Sequence, residues 1–381
     1  MGGSRVSTGL RAFGSPSRYI QGPDALDCLE EYTCSRGKKL VALIDRFLYD
    51  AICERLEHAL SCGNMEYATL AGGGECSLEE ISHVSAFVED SGADIIVGIG
   101  GGKTHDVAKY VANALKLFCV IVPTSASTDA PTSAMSVLYK EDGSYLRSVC
   151  HANNPDLILV DSKIILTAPI RLFAAGIGDA LSTYYEASAC EKSGAKNYIG
   201  SGFSRCRAGL AIARECYGVL MRDAVKALED VRAGRLSESV ENVIEANTLL
   251  SGLGFENTGC AAAHALHTGL HIFPRANKYL HGEMVAFGVL FQAAKEQHPP
   301  EEIKRLAAFL VSCNLPVTLA QFEIDADEGT VWQIVRAILS CNSGIEAEPF
   351  PVTEKVIFDS LMRADALGRR YLEEKSLRRD S

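Results

Sequence analysis

Short apolar runs alternate with longer amphipathic stretches through the first part of the chain. Runs rich in β-branched residues predict buried strands, whereas apolar residues that recur every three or four positions predict helices. The predicted strands are residues 40–45, 67–71, 93–98, 118–122 and 157–161, and the predicted helices between them are 48–60, 78–90 and 104–116. This alternation is typical of a parallel sheet covered by helices, which binds ligands at the carboxyl ends of its strands.

The pattern changes after the last of these strands. Residues 135–139 and 146–150 flank Glu141-Asp142-Gly143 and predict a β-hairpin. From Thr167-Ala168-Pro169, which resembles a helix start, the pattern is helical almost to the end of the chain. We therefore predict an α/β domain over residues 1–168 and an all-α domain over residues 169–381.

Composition narrows the possible partners and the compartment. A formal net charge of -11 argues against nucleic acid as a partner, and no apolar run is long enough to predict a membrane helix. Thirteen cysteines are scattered without a Cys-x-x-Cys pair. Free thiols and a cytoplasmic location are the predictions that follow.

A glycine-rich turn, VGIGGGKT over residues 97–104, follows a predicted strand and opens a predicted helix. Backbone amides at such a helix start can hold a phosphate, so the turn is a candidate for dinucleotide binding. It matches neither a Walker A loop nor a strict Gly-x-Gly-x-x-Gly fingerprint. A glycine turn that only packs tightly is therefore the alternative.

Asp45 favours the dinucleotide interpretation. It ends the first predicted strand, where a carboxylate can accept both ribose hydroxyls of NAD and repel the extra phosphate of NADP. Asp45 precedes Gly102 by 57 positions (102 minus 45), whereas the usual fingerprint places the acid about 20 residues after the glycines. The order is not that of an ordinary Rossmann fold.

A second polar loop follows the strand at 118–122. Residues 123–133, PTSASTDAPTS, form what we call the hydroxyl loop, in which prolines restrict the backbone and hydroxyls surround one carboxylate, Asp129. A plain polar turn is the simpler interpretation. The number of hydroxyls beside a predicted cofactor edge favours a binding loop.

A candidate metal site lies in the helical part. His264, His267 and His271 are spaced to share one helical face, and His281 follows. A single histidine among apolar residues is usually a core residue, and Asp179 by itself could merely favour a helix start. Clustering changes this balance, because one carboxylate and two imidazoles suffice for a catalytic divalent metal with an open position.

Several segments together resemble the glycerol dehydrogenases of the iron-containing alcohol dehydrogenase superfamily. They are GIGGGKTHDVAK, PTSASTDAPTSAMSVLY, NPDLILVD, GIGDALSTYYEA, EANTLLSGLGFENTG, AAAHALHTG and HGEMVAFG, in this order along the chain. The resemblance implies a Rossmann-like domain followed by a helical domain, as in dehydroquinate synthase, with NAD and one zinc ion per subunit bound between them. It also implies a homo-oligomer, possibly an octamer.

The resemblance also implies roles for individual residues. Asp179, His264 and His281 correspond to the metal ligands, and Thr183 stands where iron-type relatives have a further histidine. Asp129 corresponds to the residue that meets the polyol hydroxyls. The positions that correspond to NAD contacts are Asp45, Gly102, Lys103, Thr124, Ser127, Ser133, Met135 and Tyr139, with Met135 replacing a common leucine.

The implied reaction is NAD-dependent oxidation of glycerol to dihydroxyacetone, in which zinc favours the alkoxide and hydride passes to NAD. Another vicinal diol such as 1,2-propanediol is an open alternative. A lyase of the dehydroquinate synthase type would need basic residues for a phosphate, and the sequence places only Arg275 and Lys278 near the histidines and none beside the hydroxyl loop. A catalytically inactive protein that only binds NAD or a metal should have lost at least one of the metal-ligand residues, and all of them are present. His267 could contact the metal site, carry protons or only pack.

Overall fold

A computed structural model of the chain describes residues 9–61, 63–340 and 344–377. The strands are β1 (Arg11–Ala12), β2 (Arg18–Gly22), β3 (Lys39–Ile44), β4 (Glu66–Ala71), β5 (Ile95–Gly100), β6 (Phe118–Pro123), β7 (Met135–Tyr139), β8 (Tyr145–Cys150), β9 (Leu157–Asp161) and β10 (Ser204–Arg205). The α-helices are α1 (Leu29–Thr33), α2 (Tyr49–Ala59), α3 (Leu78–Ser91), α4 (Gly102–Leu115), α5 (Ser162–Thr167), α6 (Ile170–Ser193), α7 (Arg207–Arg232), α8 (Glu238–Glu245), α9 (Ser251–Thr258), α10 (Ala262–Leu270), α11 (His281–Lys295), α12 (Pro300–Ser312), α13 (Glu328–Ser340) and α14 (Glu354–Leu377). Short 3-10 turns cover Ala25–Cys28, Arg46–Leu48, Pro274–Lys278, Leu319–Phe322 and Ile345–Ala347, and a π-helical turn covers Ala246–Leu250.

A parallel sheet in the order β2-β9-β6-β5-β3-β4 forms the first half of the fold. Successive side chains of β3 pack into different apolar clusters, since Val41 and Leu43 belong to one and Leu40 and Ala42 to the other. Both faces of the sheet are therefore covered, as the continuous apolar runs predict. All five predicted strands are in this sheet, but β2 was not predicted.

The order of the strands determines which of the polar segments that follow them lie next to one another. The chain passes from β3 to β4 at the edge and then returns to β5 on the other side of β3. Such a reversal opens a crevice at the carboxyl ends of the strands beside it. The segments after β3, β5 and β6 therefore lie side by side.

The predicted hairpin is confirmed. Strands β7 and β8 pair antiparallel from Met135 opposite Cys150 to Tyr139 opposite Tyr145. Gly143 in the turn has φ 79°, a left-handed conformation that costs glycine little. Its first strand begins at Met135, just after the hydroxyl loop.

Helices follow the sheet, as predicted. The predicted boundary at residue 168 falls between α5 and α6 and stays a prediction. The first described residues do not pack on the sheet: β1 pairs with β10, and the amide of Gly14 donates to Asn257 Oδ1 at 2.8 Å. They belong spatially with the helical half.

Two predictions from composition can be compared with this fold. Eleven cysteines lie within the described residues and all are free thiols, whereas Cys62 and Cys341 fall outside the described residues. Among the helices that the structure describes, none has the length and apolarity required to cross a bilayer. The cytoplasmic location stays a prediction.

Candidate active site

Helices α6 and α11 cross at very short range, and this crossing places Asp179 beside His281. A Cβ added to Gly282 would lie 1.9 Å from the carbonyl oxygen of Ala175, and one added to Gly178 would lie 2.3 Å from the carbonyl oxygen of Gly282. Only glycine at these two positions allows such an approach. His281 is the first residue of α11 and so lies directly against the buried Asp179.

His264 is positioned by the start of α10, whose first amides lack partners within the helix. Glu186 of α6 accepts hydrogen bonds from the amides of Ala261 and His264 at 2.8 and 3.0 Å. Glu348 and Gln292 accept from the two amides between them. Side chains outside α10 thus cap its first turn and fix the backbone position from which the His264 side chain extends.

Asp179, His264 and His281 converge at one point, each offering a ligand atom within 4.8 Å of the others. The Nε2 atoms of His281 and His264 lie 3.2 and 3.7 Å from Asp179 Oδ1. These separations suit a tetrahedral cation, whose ligands at about 2.0 to 2.1 Å lie roughly 3.3 Å apart. Asp179 Oδ1 is buried and has no hydrogen-bond partner among the described residues. The arrangement therefore fits a divalent metal ion.

The Nδ1 atom of each histidine, on the ring side away from Asp179, contacts another polar side chain. His264 Nδ1 lies 2.7 Å from Glu186 Oε2. A proton on Nδ1 would leave the lone pair of Nε2 available to a cation that Asp179 also binds. His281 Nδ1 lies 3.0 Å from His267 Nε2, which is also 2.9 Å from His271 Nε2. His267 thus contacts a candidate ligand.

The charges in this cluster depend on one another. Burial acts to raise the pKa of Asp179, but positive charge on His281 and His264 lowers it below its ordinary value. Burial acts to lower the pKa of His264, but the neighbouring Cys260 thiol and Glu186 carboxylate raise it well above its ordinary value. The cluster therefore stabilises positive charge at its centre.

Asp129 extends from the hydroxyl loop into this cluster. Its amide donates to Asp179 Oδ2 at 3.3 Å, and its Oδ2 accepts from Ser251 Oγ at 2.6 Å. Burial and the negative charge of Asp179 raise the pKa of Asp129 well above its ordinary value. A second carboxylate is thus placed next to the candidate metal ligands, where it could bind a hydroxyl group.

The predicted NAD residues lie along the carboxyl edge of three neighbouring strands. Asp45 directly follows β3, and its Oδ1 accepts from the amide of Phe47 at 3.0 Å. Strand β5 extends to Gly100, two residues beyond its predicted end, and α4 begins at Gly102 rather than at the predicted Thr104. The glycine turn is therefore shorter than the sequence pattern predicts.

The other predicted NAD residues surround the same edge. Lys103 forms an ion pair with Glu75, and its Nζ lies 5.4 Å from the ring centroid of Tyr139. The amide of Thr124 donates to the carbonyl of Gly100 at 3.0 Å, which ties the hydroxyl loop to the glycine turn. The remaining predicted residues lie in the hydroxyl loop or at the start of β7, and they are Ser127, Ser133 and Met135.

One statement from the sequence is wrong. The sequence places no basic residue beside the hydroxyl loop, but Lys109 Nζ lies 2.8 Å from the carbonyl oxygen of Ala130. Lys109 is buried and paired with Asp106 at 2.8 Å. It lies five positions after the glycine turn, and only the packing of α4 against the loop brings it there.

Glu186 and Ser251 were not assigned by the sequence analysis, although both lie in its quoted segments. Glu186 is seven positions after Asp179, two helical turns on the same face, so spacing could have indicated a shared site. Ser251 offered no such signal. It reaches Asp129 only because α9 packs on the hydroxyl loop.

The protein thus has a parallel-sheet half followed by a helical half. A candidate metal site in the helical half is contacted by Asp129 from the sheet half. The model of the iron-containing alcohol dehydrogenase family matches residues 16–162. A glycerol dehydrogenase of Escherichia coli O6:H1 is 41% identical over 367 residues, covering 96% of this chain and 99% of that protein. A glycerol dehydrogenase of Thermotoga maritima is 42% identical over 355 residues, covering 93% of this chain and 96% of that protein.

A solved structure agrees with these relatives. The crystal structure of a probable glycerol dehydrogenase from Sinorhizobium meliloti 1021 superposes with a TM-score of 0.89 at 44% identity, covering 95% of this chain and 100% of that one. The chain belongs to the glycerol dehydrogenase branch of the iron-containing alcohol dehydrogenase family. It is an oxidoreductase, and the predicted family and fold class are confirmed.

Proposed function

We propose that the chain catalyses the reversible, NAD-dependent oxidation of glycerol to dihydroxyacetone. A hydride leaves C2 of glycerol for the nicotinamide ring and a proton leaves the C2 hydroxyl, which gives dihydroxyacetone, NADH and H⁺. The observation that carries the proposal is the contact of Asp129 with Asp179 Oδ2, while His264 and His281 contact Asp179 Oδ1. Relatives named glycerol dehydrogenases support it.

Asp179, His264 and His281 would hold one divalent cation, for which we propose zinc. When bound, the cation would supply Lewis acidity, which lowers the pKa of a substrate hydroxyl. Glu186 Oε2, 2.7 Å from His264 Nδ1, would orient the imidazole so that its Nε2 could bind the cation. Asp179 Oδ1 is buried and has no hydrogen-bond partner among the described residues, which supports this assignment.

Asp129 would bind the hydroxyl next to the reacting carbon. Asp129 is 8% exposed, and its backbone amide lies 3.3 Å from Asp179 Oδ2. Its carboxyl group can accept a hydrogen bond from a second hydroxyl of a polyol when ionised, or donate one when protonated. A monohydroxy alcohol lacks this group. The proposed preference for vicinal diols follows.

The NAD site would follow the strand ends. Asp45 would accept the ribose hydroxyls, the amides at Gly102 and Lys103 would face the pyrophosphate at the start of α4, and Thr124 and Ser127 would line the crevice. Ser133, Met135 and Tyr139 would complete its wall. The adjacency of β3, β5 and β6 supports this arrangement.

The test is NADH formation, read as absorbance, with purified protein, NAD and glycerol. We expect NADH formation that a chelator abolishes and added Zn²⁺ restores, with a larger KM for glycerol in Asp129→Ala. A lack of NADH with glycerol and with 1,2-propanediol would overturn the proposal. Activity with 1,2-propanediol alone would replace glycerol by another vicinal diol.

A lyase of the dehydroquinate synthase type fits less well. Arg275 and Lys278, the basic residues near the histidines, both bond to Glu323. Lys109 beside the hydroxyl loop is neutralised by Asp106. Net formation of NADH would separate the two reactions, because such a lyase regenerates its cofactor.

The quaternary structure is a further part of the proposal. We expect a homo-oligomer, possibly an octamer, of a cytoplasmic enzyme with a small-molecule polyol as its substrate. Gel filtration with light scattering would contradict this if the protein eluted only as a single subunit.

A further inference from the structure

The segment between α8 and α9 is wound as a π-helix over residues 246–250, within an otherwise continuous run of helix from 238 to 258. A π-turn inserts one residue and rotates the side chains that follow, and such turns are frequent at functional sites. We call residues 247–252 the clamp segment. It lies in the stretch EANTLLSGLGFENTG, residues 245–259, to which the proposed function assigns no role.

The clamp segment contacts the hydroxyl loop at three places. Asn247 Nδ2 donates to the carbonyl of Ala126 at 2.9 Å. The hydroxyl of Thr132 donates to the carbonyl of Thr248 at 3.2 Å. Between these two bonds, Ser251 reaches the carboxylate of Asp129. Both flanks of Asp129 are therefore fixed to the same helix.

The approach at this contact is as close as a backbone permits. A Cβ added to Gly252 would lie 1.9 Å from Thr132 Oγ1 and 2.7 Å from the carbonyl oxygen of Asp129. Any side chain at this position would push the loop away. The position of Asp129 thus depends on the helix rather than on the loop alone.

Two hydroxyl groups determine how the Asp129 carboxylate is turned. Ser251 Oγ is 2.6 Å from Asp129 Oδ2 and 2.8 Å from Thr183 Oγ1. Because Ser251 has one proton and donates it to the carboxylate, Thr183 must donate to Ser251. Ser251 and Thr183 are almost fully buried, at 0% and 1% exposure, so water does not compete for these bonds. The bond engages Oδ2 and leaves Oδ1 for a ligand.

We propose that Ser251, supported by Thr183, is a positioning residue that gives the enzyme its preference for polyols over monohydroxy alcohols. This inference rests on the proposed function and adds the cause of its substrate preference. Ser251 holds Asp129 in the one orientation that meets a second hydroxyl. A monohydroxy alcohol does not use Asp129, so its oxidation depends less on this bond.

The experiment compares kcat/KM for glycerol with kcat/KM for 1-propanol in the metal-loaded enzyme. In Ser251→Ala, we expect the ratio of the two to fall about tenfold or more, mainly through KM for glycerol, because the change leaves Asp129 Oδ2 without its buried hydrogen-bond donor. Thr183→Val, which keeps the shape and removes the proton donor, should lower the ratio by a smaller factor. Thr183→Ser should restore it.

A matched control comes from the same helix. Thr258 is fully buried, and among the residues that the structure describes its hydroxyl bonds only to the carbonyl of Gly254 in its own helix, at 2.8 Å. Thr258→Val therefore removes a buried hydroxyl without touching Asp129, and it should leave the ratio as in the wild type. A role in packing alone would give Thr183→Val and Thr258→Val the same effect.

The outcomes separate this inference from the proposed function. If the wild type forms no NADH with glycerol or 1,2-propanediol, the proposed function fails and the inference with it. If the wild type is active but Ser251→Ala keeps the ratio within about twofold, only the inference fails. Loss of bound metal in Ser251→Ala, or an equal loss on both alcohols, would also overturn it.

Discussion

Asp179 and Asp45 are both carboxylates with a proposed ligand, yet their surroundings differ. Asp179 is fully buried, and the residues around it come from α6, α10, α11 and the hydroxyl loop. Asp45 is half-buried at the end of a strand, and its carboxylate accepts a hydrogen bond from the amide of Phe47, two positions on. One carboxylate is held by tertiary contacts and the other by local backbone geometry.

This difference predicts how each region responds to change. The helical site depends on side chains that cap and orient one another, so an isosteric replacement of one member should weaken the whole site. The nucleotide edge is formed mainly by backbone at the ends of β3, β5 and β6, which side-chain replacement leaves in place. Single substitutions should therefore have larger effects around Asp179 than around Asp45.

The largest effect is expected for Asp179→Asn. Loss of a charged ligand should remove the bound metal and lower kcat/KM by about 1000-fold or more, because metal polarisation supplies several kcal/mol. Metal analysis of the purified protein and NADH formation measure this. Asp365→Asn is the control, since Asp365 is also buried but pairs with Arg369. A variant at Asp179 that kept both metal and rate would refute the ligand assignment.

A smaller effect is expected for Glu186→Gln. This change keeps the cap on α10 but weakens the bond that orients His264, so the dissociation constant for zinc should rise about 10- to 100-fold. Competition with a coloured chelator measures it. Glu348→Gln is the control, because Glu348 caps the same helix at Ala262 and pairs with Lys295 rather than with His264. Equal losses in both variants would show that capping alone matters.

At the nucleotide edge, Asp45→Asn should raise the dissociation constant of NAD by about tenfold and reduce discrimination against NADP. Asparagine can still accept from the amide of Phe47, so the turn should keep its shape. Fluorescence titration with both cofactors measures the change. Asp50→Asn, in the first turn of α2, is the control. If both changes had the same effect on NAD, general charge rather than a ribose contact would be responsible.

The smallest effect is expected in thermal stability. Metal at 100 times its dissociation constant stabilises a folded protein by about 2.7 kcal/mol, so chelation should lower Tm by a few degrees Celsius. Calorimetry with and without chelator measures it. The same treatment of Asp179→Asn should change nothing. A chelator effect of equal size in that variant would mean that the metal binds elsewhere.

The sequence identified most elements of the sheet, because continuous β-branched runs and amphipathic helices are local patterns. It missed β2, whose residues RYIQG are few and mixed in polarity. This strand exists because it pairs with β9 at the sheet edge. The end of β5 was also misplaced, since Gly100 stays in the strand through its pairing with Pro123.

The candidate site divides in the same way. Asp129, Asp179, His264 and His281 were found from residue types that bind metals or hydroxyls, and from their resemblance to a known family. Their convergence, and the roles of Glu186 and Ser251, required the structure. No local sequence pattern distinguishes a glutamate that caps a distant helix, or a buried serine that orients a carboxylate, from the other glutamates and serines of the chain.

By itself, the sequence determined that a parallel sheet precedes a helical half and which side chains have the chemistry for a metal and a polyol. Tertiary structure decided which of them meet. Asp129 and Ser251 are 122 positions apart, and their 2.6 Å contact depends on a π-turn and on the space left by Gly252. Local patterns report the preferences of neighbouring residues, whereas such contacts arise only when distant segments pack.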